Sequence, residues 1–300
     1  MKKTKIKFLF LAMLIGSMTI LTASCEKDDI VTNSSGLKPN QFKYDSSGLK
    51  PNQFEYVGLE HNKGLDYVYN GLKKELNTID VDKLNRDELF EIVNKYSNEF
   101  YAKSEITKNY LSESIELSEK HLNSISLYYK YHSPQENGED SYIDSCITNG
   151  RFTDIQKSLL FELINRVNSA NELSEIQLII KEINDKAIRL ITDSSELAII
   201  FIATNVMEYS CSYWAEHFDE WNNLFNNNKA APSDKWWSWQ TVGKADAVGA
   251  ASGATTGAML GVVAGGIGAL PGAVLGGTVG GIGSSVGDAA SQLWDHWFKN

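Results

Sequence analysis

Apolar residues recur at helical spacing between residues 59 and 228. One stripe contains Leu89, Phe90, Val93, Tyr96 and Phe100, and Asp87 stands where a helix cap is expected. Two more stripes consist of Ile155, Leu159, Leu163, Ile164 and Val167, and of Leu173, Ile176, Ile180, Ile183 and Ala187. No alternating strands separated by hairpin turns interrupt them. The pattern therefore predicts an all-α protein, a bundle of five or six helices, and about 170 residues suffice for one core.

Residues 197–203 differ from these stripes because they are apolar on every side. Glu196 and Glu208 bracket the run at a length too short to cross a bilayer, which predicts the central helix of the bundle. An aromatic stripe continues it: Tyr209, Tyr213, Trp214, Phe218 and Trp221. Such a stripe is typical of core packing, and a carbohydrate-binding face is the alternative.

Composition changes after Trp239. The 41 residues from 247 to 287 contain no charged side chain. Within them one row of glycines consists of Gly249, Gly253, Gly257, Gly261 and Gly265, and a second of Gly268, Gly272, Gly276 and Gly280. A spacing of four places each row on one helix face, where another backbone can approach closely, as helices do in lipid. The rows therefore predict two tightly packed helices.

Pro271 lies between the two rows and predicts a turn, because proline cannot continue a helix. The arms of this helical hairpin would run over residues 245–267 and 272–292, each close to the thickness of a bilayer core. Five tryptophans would gather at its open end, as one half of an interfacial aromatic belt. They are Trp236, Trp237, Trp239, Trp294 and Trp297. The charged residues Lys244, Asp246, Asp288 and Asp295 would stay in water on the same side.

Glycine and alanine supply little free energy for transfer into lipid, and glycine weakens a helix. The pattern thus leaves two main alternatives open: a hairpin embedded in a membrane, or one folded against the bundle. A flexible tail is a third, which the regular glycine spacing disfavours.

The N-terminus has the pattern of a secretory signal. Four lysines (Lys2, Lys3, Lys5 and Lys7) precede an apolar run that ends at Leu21, and small residues lead to Cys25. Leu21-Thr22-Ala23-Ser24-Cys25 resembles the lipobox of bacterial lipoproteins. The resemblance implies cleavage before Cys25, diacylglycerol on its thiol, and durable anchoring by several acyl chains.

Two further resemblances concern location and activity. Cys25-Glu26-Lys27-Asp28-Asp29 resembles the surface-export signal of Bacteroidetes lipoproteins, which implies an outer-membrane protein displayed on the cell surface. Residues 244–298 resemble glycine-zipper two-helix modules of bacterial envelope proteins. They are also similar to the hydrophobic part of membrane-permeabilising bacteriocins, although those are usually small and cationic.

A tandem duplication follows the signal. Residues 34–45 read SSGLKPNQFKYD and residues 46–57 read SSGLKPNQFEYV, a composition that predicts a flexible tether. The predicted organisation is a signal peptide (1–24), this linker (25–58), the bundle (59–228), a Trp-rich linker (229–243) and the hairpin (244–300).

Charge and side-chain chemistry narrow the function. Removing the four lysines of residues 1–24 takes the formal net charge from −10 to −14, which disfavours nucleic acid as a partner. Cys146 and Cys211 form a disulfide or remain separate thiols. The histidines (His61, His121, His132, His217 and His296) lack metal-ligand spacing, and Glu216, His217, Asp219 and Glu220 suit a solvated helix face better than a metal site. No catalytic motif is present, so no enzyme, cofactor or metal is predicted.

These observations predict a non-enzymatic, lipid-anchored envelope protein. Its hairpin would insert into membrane lipid or associate with copies of itself, in a structural or assembly role. The alternative is a bacteriocin-like toxin, displayed on the cell surface, that permeabilises a neighbouring cell.

Overall fold

The computed structural model describes residues 48–131, 138–225, 239–263 and 268–298. The predictions for the signal peptide, Cys25, the first repeat copy, His132, Trp236, Trp237 and Gly265 lie outside these residues. All described residues belong to one compact unit that comprises residues 35–300.

The regular structure in the described ranges is entirely helical, which confirms the predicted all-α class. Nine α-helices follow the 3₁₀ turn Pro51–Phe54: α1 Glu55–Leu76, α2 Arg86–Tyr101, α3 Leu111–Tyr131, α4 Gly138–Asn149, α5 Asp154–Val167, α6 Leu173–Leu190, α7 Ser194–Asn223, α8 Trp239–Val263 and α9 Ala269–Phe298.

In the described ranges seven helices precede the hairpin, more than the five or six expected. The cap of α2 also differs from the prediction: Asn85, not Asp87, accepts a hydrogen bond from the Glu88 backbone N–H, and the Glu88 carboxylate accepts one from the Asn85 N–H. This reciprocal capping box places the N-cap of α2 two residues before Asp87.

The second repeat copy is not a tether, so the predicted linker boundary at residue 58 is wrong. Phe54 and Val57 are buried, and the Phe54 ring lies 6.1 Å from that of Phe201 in α7. The Asn205 amide also donates to the Pro51 carbonyl at 3.0 Å. The buried apolar side chains and this hydrogen bond together dock the described part of the repeat on the bundle.

Helices α8 and α9 lie side by side at the centre of the unit. Helix α9 packs against α1, α2, α3 and α7, while α8 packs against α4, α5 and α7. Helix α6 covers α5 and α7 on the outside. We call α1–α7 the sheath, because together they enclose the hairpin formed by α8 and α9.

The hairpin is therefore not a domain separate from the bundle, although its composition had suggested that it would be. Its helices contribute to the same two apolar cores as the sheath helices, including Val248 and Val274 in one and Val279 and Ile282 in the other. Helix α9 is the one described helix long and apolar enough to cross a membrane, and most of its apolar length is buried inside the protein.

The turn of the hairpin also differs in detail. Pro271 lies in the first turn of α9 rather than between the arms. A proline is tolerated there because the first N–H groups of a helix have no partner within it. Gly268, with a φ of +80°, makes the reversal that precedes the helix, and its carbonyl accepts from the Gly272 N–H at 3.1 Å.

Candidate functional site: a sheathed glycine hairpin

The two arms meet along their glycines. A Cβ placed on Gly253 would overlap the carbonyl oxygen of Gly276 and lie 3.1 Å from the Gly280 Cα. Gly257 faces Gly272 in the same way, and Gly249 faces Gly280. These contacts join backbone to backbone, so no side chain can move aside to make room. Six of the nine predicted packing glycines thus form the arm-to-arm contact; Gly261 lies in the last turn of α8 and Gly268 in the turn.

Other glycines of α9 face the sheath rather than α8. A Cβ on Gly277 would overlap Ile202 of α7, and one on Gly281 would lie 3.1 Å from Val206 Cγ1. Gly283 and Gly287 face His121 and Leu122 of α3 at 3.4 and 3.2 Å. The hairpin therefore has an inner face that holds its arms together and an outer face that the sheath covers.

Helices α7 and α8 are both buried but differ in side-chain size. Helix α7 buries Ile199, Ile200, Phe201 and Ile202, which supply large apolar areas. The facing part of α8 buries mainly small residues such as Ala247, Ala250 and Ala251. Close approach of small residues is the way helices associate in lipid, where the hydrophobic effect does not drive them together.

A buried polar cluster joins the base of the hairpin, the end away from its turn, to the sheath. Asp246 of α8 accepts a hydrogen bond from the Ser210 hydroxyl of α7, and its Oδ2 lies 3.5 Å from His61 Nε2 of α1. Both side chains of the His61–Asp246 pair are fully buried. The Ser285 hydroxyl of α9 also faces the carboxylate and accepts from Trp214 Nε1 at 3.1 Å.

Further hydrogen bonds orient His61. Its Nδ1 lies 2.9 Å from Asn62 Oδ1, and the Asn62 amide donates to the Tyr209 carbonyl of α7 at 3.1 Å. The His61 ring also packs beside Gly281, 3.2 Å from a Cβ placed there. Helices α1, α7, α8 and α9 thus meet at this one cluster.

Burial of the Asp246 carboxyl disfavours its charged form. Burial raises the pKa of its carboxyl, and His61, Ser210 and Ser285 oppose that rise because they stabilise the charged form. The second oxygen, Oδ1, has no hydrogen-bond partner among the described residues. An exposed carboxylate would have water at that oxygen.

The other charged residues that flank the uncharged stretch are buried as well. Relative exposure is 3% for Lys244, 1% for Asp288 and 8% for Asp295. Lys244 donates to Asn168 of the α5 C-terminus at 2.5 Å, and Asp288 accepts from the Gln292 amide at 2.7 Å. Charges predicted to remain in water beside a membrane are thus held inside the protein.

Trp294 and Trp297 are half-buried and pack against the core that α9 shares with the sheath, instead of forming an exposed belt. Trp297 donates through its indole N–H to Asn222 of α7 at 3.0 Å, and Trp294 stacks on Phe298 with ring centroids 4.2 Å apart. Trp239 is the first residue of α8. The aromatic residues Tyr213, Trp214 and Trp221 of α7 are likewise buried in the core.

Cys146 and Cys211 are both free thiols, so the disulfide alternative is wrong. Each has a different neighbour: Cys146 hydrogen-bonds Tyr142, and Cys211 packs against the backbone of Gly243 at the base of α8. Burial raises the pKa of the Cys211 thiol well above its usual range. Cys211 is therefore unreactive while the base of the hairpin stays on α7.

On the outer face of α7, His217 Nδ1 lies 3.7 Å from Glu220 Oε2, and 37% of the His217 side chain is exposed. Groups of three or more His, Cys, Asp or Glu that could hold a metal are absent from the described part of the chain.

Sequence reasoning missed the role of α1. Gly64 of α1 lies against Ile282 of α9, and Gly58 lies against Tyr209 of α7. A signal existed, since glycines at 58, 64 and 71 are unusual in a helix unless another element approaches closely. Nothing in the spacing linked His61 to Asp246, because 185 residues separate them.

Searches of protein-family models, of curated proteins and of solved structures found no match to this chain.

Proposed function

We propose that this protein is a lipid-anchored envelope protein that stores a membrane-inserting helical hairpin inside a helical sheath. One observation carries the proposal: the arms of the hairpin hold each other by backbone contacts at Gly249–Gly280, Gly253–Gly276 and Gly257–Gly272. These contacts do not involve the sheath. They would survive if the hairpin left the sheath as a unit.

The dimensions of the hairpin support this function. Residues 247–263 of α8 and 269–287 of α9 carry no charge. At 1.5 Å per residue these segments are about 26 and 28 Å long, close to the thickness of a bilayer core of about 30 Å. Asp246 lies directly before the first segment and Asp288 directly after the second. Both would then lie at the membrane surface.

Three hydroxyl groups within the hairpin are already satisfied internally, as lipid requires. The hydroxyls of Thr255, Thr256 and Thr278 each donate to the carbonyl four residues earlier in their own helix. Release into lipid would therefore expose no unpaired hydroxyl at these three positions.

A hairpin enclosed by seven helices favours insertion under particular conditions over permanent embedding. The contacts of α9 with α3 and α7 must be exchanged for lipid before it can span a bilayer. The glycines of one arm already contact those of the other arm in the same chain. Self-association would therefore use another face of the hairpin. The signal-like N-terminus and Cys25 supply the proposed anchor that keeps the sheath beside a membrane.

A disulfide lock tests the proposal. A Cβ on Gly277 overlaps Cγ2 of Ile202, so cysteines at both positions are close enough to bridge α9 and α7. The lock is built in the full chain with Cys25→Ser, Cys146→Ser and Cys211→Ala. Its reduced form should insert into anionic and zwitterionic vesicles across a pH range of 4 to 8, while the oxidised form should not. Equal insertion of both forms, or none by the reduced form, would overturn the proposal.

Dye leakage in the same experiment separates the two roles of the hairpin. Insertion without leakage fits a structural or assembly element in the protein's own outer membrane. Insertion with leakage fits the bacteriocin-like alternative, which the releasable arrangement of the hairpin favours over a fixed structural span.

A further inference from the structure

We propose that His61 and Asp246 form a latch that holds the base of the hairpin against α1 and α7, and that the latch must open before the hairpin can leave the sheath. This inference rests on the proposed function and names the contact that regulates it. The pair connects a sheath helix to the hairpin, with both side chains removed from water.

The position of Asp246 gives the latch its effect. Asp246 is the last charged residue before the 41-residue uncharged stretch. In the inserted state it would mark the point at which the chain enters the lipid from the membrane surface. In the sheath, one of the Asp246 carboxyl oxygens has no hydrogen-bond partner among the described residues, and the whole side chain is buried. At a membrane surface water would solvate both oxygens. The closed state therefore depends on the pairing with His61 and on the Ser210 hydroxyl, not on a favourable environment for the charge.

Removal of the His61 ring is unfavourable, because it leaves the buried Asp246 carboxyl with one compensating group fewer. His61→Ala should therefore open the base. Removal of the charge as well, with Asp246→Asn, should restore closure in part. This reciprocal dependence distinguishes a latch from simple packing at the two positions.

Cys211 reports opening of the base directly. Its thiol packs against Gly243, three residues before Asp246, and is buried while the base is closed. In a full chain with Cys25→Ser and Cys146→Ser, it is the only thiol left. The rate of its alkylation by iodoacetamide then measures how often the base separates from α7.

We expect His61→Ala to accelerate Cys211 alkylation about a hundredfold, and His61→Ala with Asp246→Asn to return the rate to within about tenfold of the parent. His121→Ala is the matched control, since this histidine of α3 also packs against a glycine of α9 but lies outside the latch. It should change the rate much less. Additive effects of the two latch substitutions, or equal acceleration by His121→Ala, would overturn the latch.

A second variant keeps the test decisive if His61→Ala does not fold. A Cβ on Gly243 lies 3.8 Å from the Cys211 Cβ, the usual separation in a disulfide. Gly243→Cys should therefore lock the base when oxidised and release it when reduced. Vesicle insertion by the reduced form alone supports the latch. Equal insertion by both forms removes the latch but leaves the proposed function, whereas insertion by neither removes the proposed function and, with it, the latch that rests on it.

Discussion

Gly253 and Gly283 lie in the same hairpin and are both buried, but they meet different atoms. Gly253 faces the backbone of Gly276, where an added methyl group has no space. A Cβ added at Gly283 would lie 3.4 Å from the Cβ of His121, an ordinary van der Waals distance. The effect of adding a methyl group should therefore depend on which face of the hairpin receives it.

We expect Gly253→Ala to lower the free energy of unfolding by about 2 kcal/mol or more, because the arms must separate to admit the methyl group. Gly283→Ala should leave it unchanged or raise it by up to about 1 kcal/mol, since alanine favours a helix. Urea unfolding of both variants measures the difference. Equal destabilisation would contradict the assignment of the inner face.

His121 adds a pH dependence at the same scale. Partial burial of the His121 ring, and then the positive charge of the nearby Lys120, lower the pKa of His121 from 6.5 to about 4. Between these values the unfolded chain binds a proton that the folded chain excludes, so stability is full above pH 6.5 and falls as the pH drops towards 4. The loss is at most about 3 kcal/mol, and less because the ring keeps some contact with water.

His121→Gln should remove this part of the pH dependence. Urea midpoints measured from pH 4 to 7 provide the test, and His217→Gln on the outer face of α7 is the control. A pH profile that His121→Gln leaves unchanged would show that the buried ring does not couple protonation to folding.

At the scale of elements, the tandem repeat offers an internal comparison. Phe54 of the second copy is 3% exposed and packs against Phe201, and Phe42 is its counterpart in the first copy. Only one of the two can fill this site.

We expect Phe54→Ala to cost about 3–5 kcal/mol of folding stability, as for other buried phenylalanines. Phe42→Ala should cost far less, although the eight residues before it match those before Phe54. Thermal unfolding of the two variants measures this contrast. A similar loss from both would show that docking is not specific to the second copy.

The predictability of the elements follows from the range of the interactions that form them. Helix α7 was predicted from its run of bulky apolar residues, and the arms of the hairpin from glycines four residues apart, because both signals are local. The docking of the second repeat was not predicted, because its few apolar side chains, such as Phe54 and Val57, stand among Ser, Gly, Pro and Asn, a composition typical of a tether. Their burial depends on α7, about 150 residues further along the chain.

The candidate site divides in the same way. Glycine spacing predicted the face on which α8 and α9 meet. It could not predict whether lipid or sheath helices cover the other face, because both surroundings accept small apolar residues. The buried charges at Lys244, Asp246 and Asp288 were placed in water for the same reason: sequence shows a charge but not the partner that compensates its burial.

At the scale of the whole molecule, the two ends of the chain have complementary proposed roles. A lipid on Cys25 would hold the protein at a membrane, and the sheath would keep the hairpin out of that membrane until the latch opens. An anchored chain has a high local concentration at the bilayer, so sheathing would prevent premature insertion. Release would then be controlled by the contacts of α1, α3 and α7 with the hairpin.

The depth of a fluorescent probe on the hairpin tests this account most directly. The probe is attached to Thr256→Cys, a half-buried position of α8 about 15 Å along the helix from Asp246, and the control probe is attached to Lys181→Cys on the exposed face of α6. The three native cysteines are replaced in both chains, and the vesicles carry a quencher at the bilayer centre. In chains that also carry His61→Ala, which opens the latch, we predict quenching of the Thr256 probe and none of the Lys181 probe. Equal quenching of the two probes, or none of either, would contradict the account.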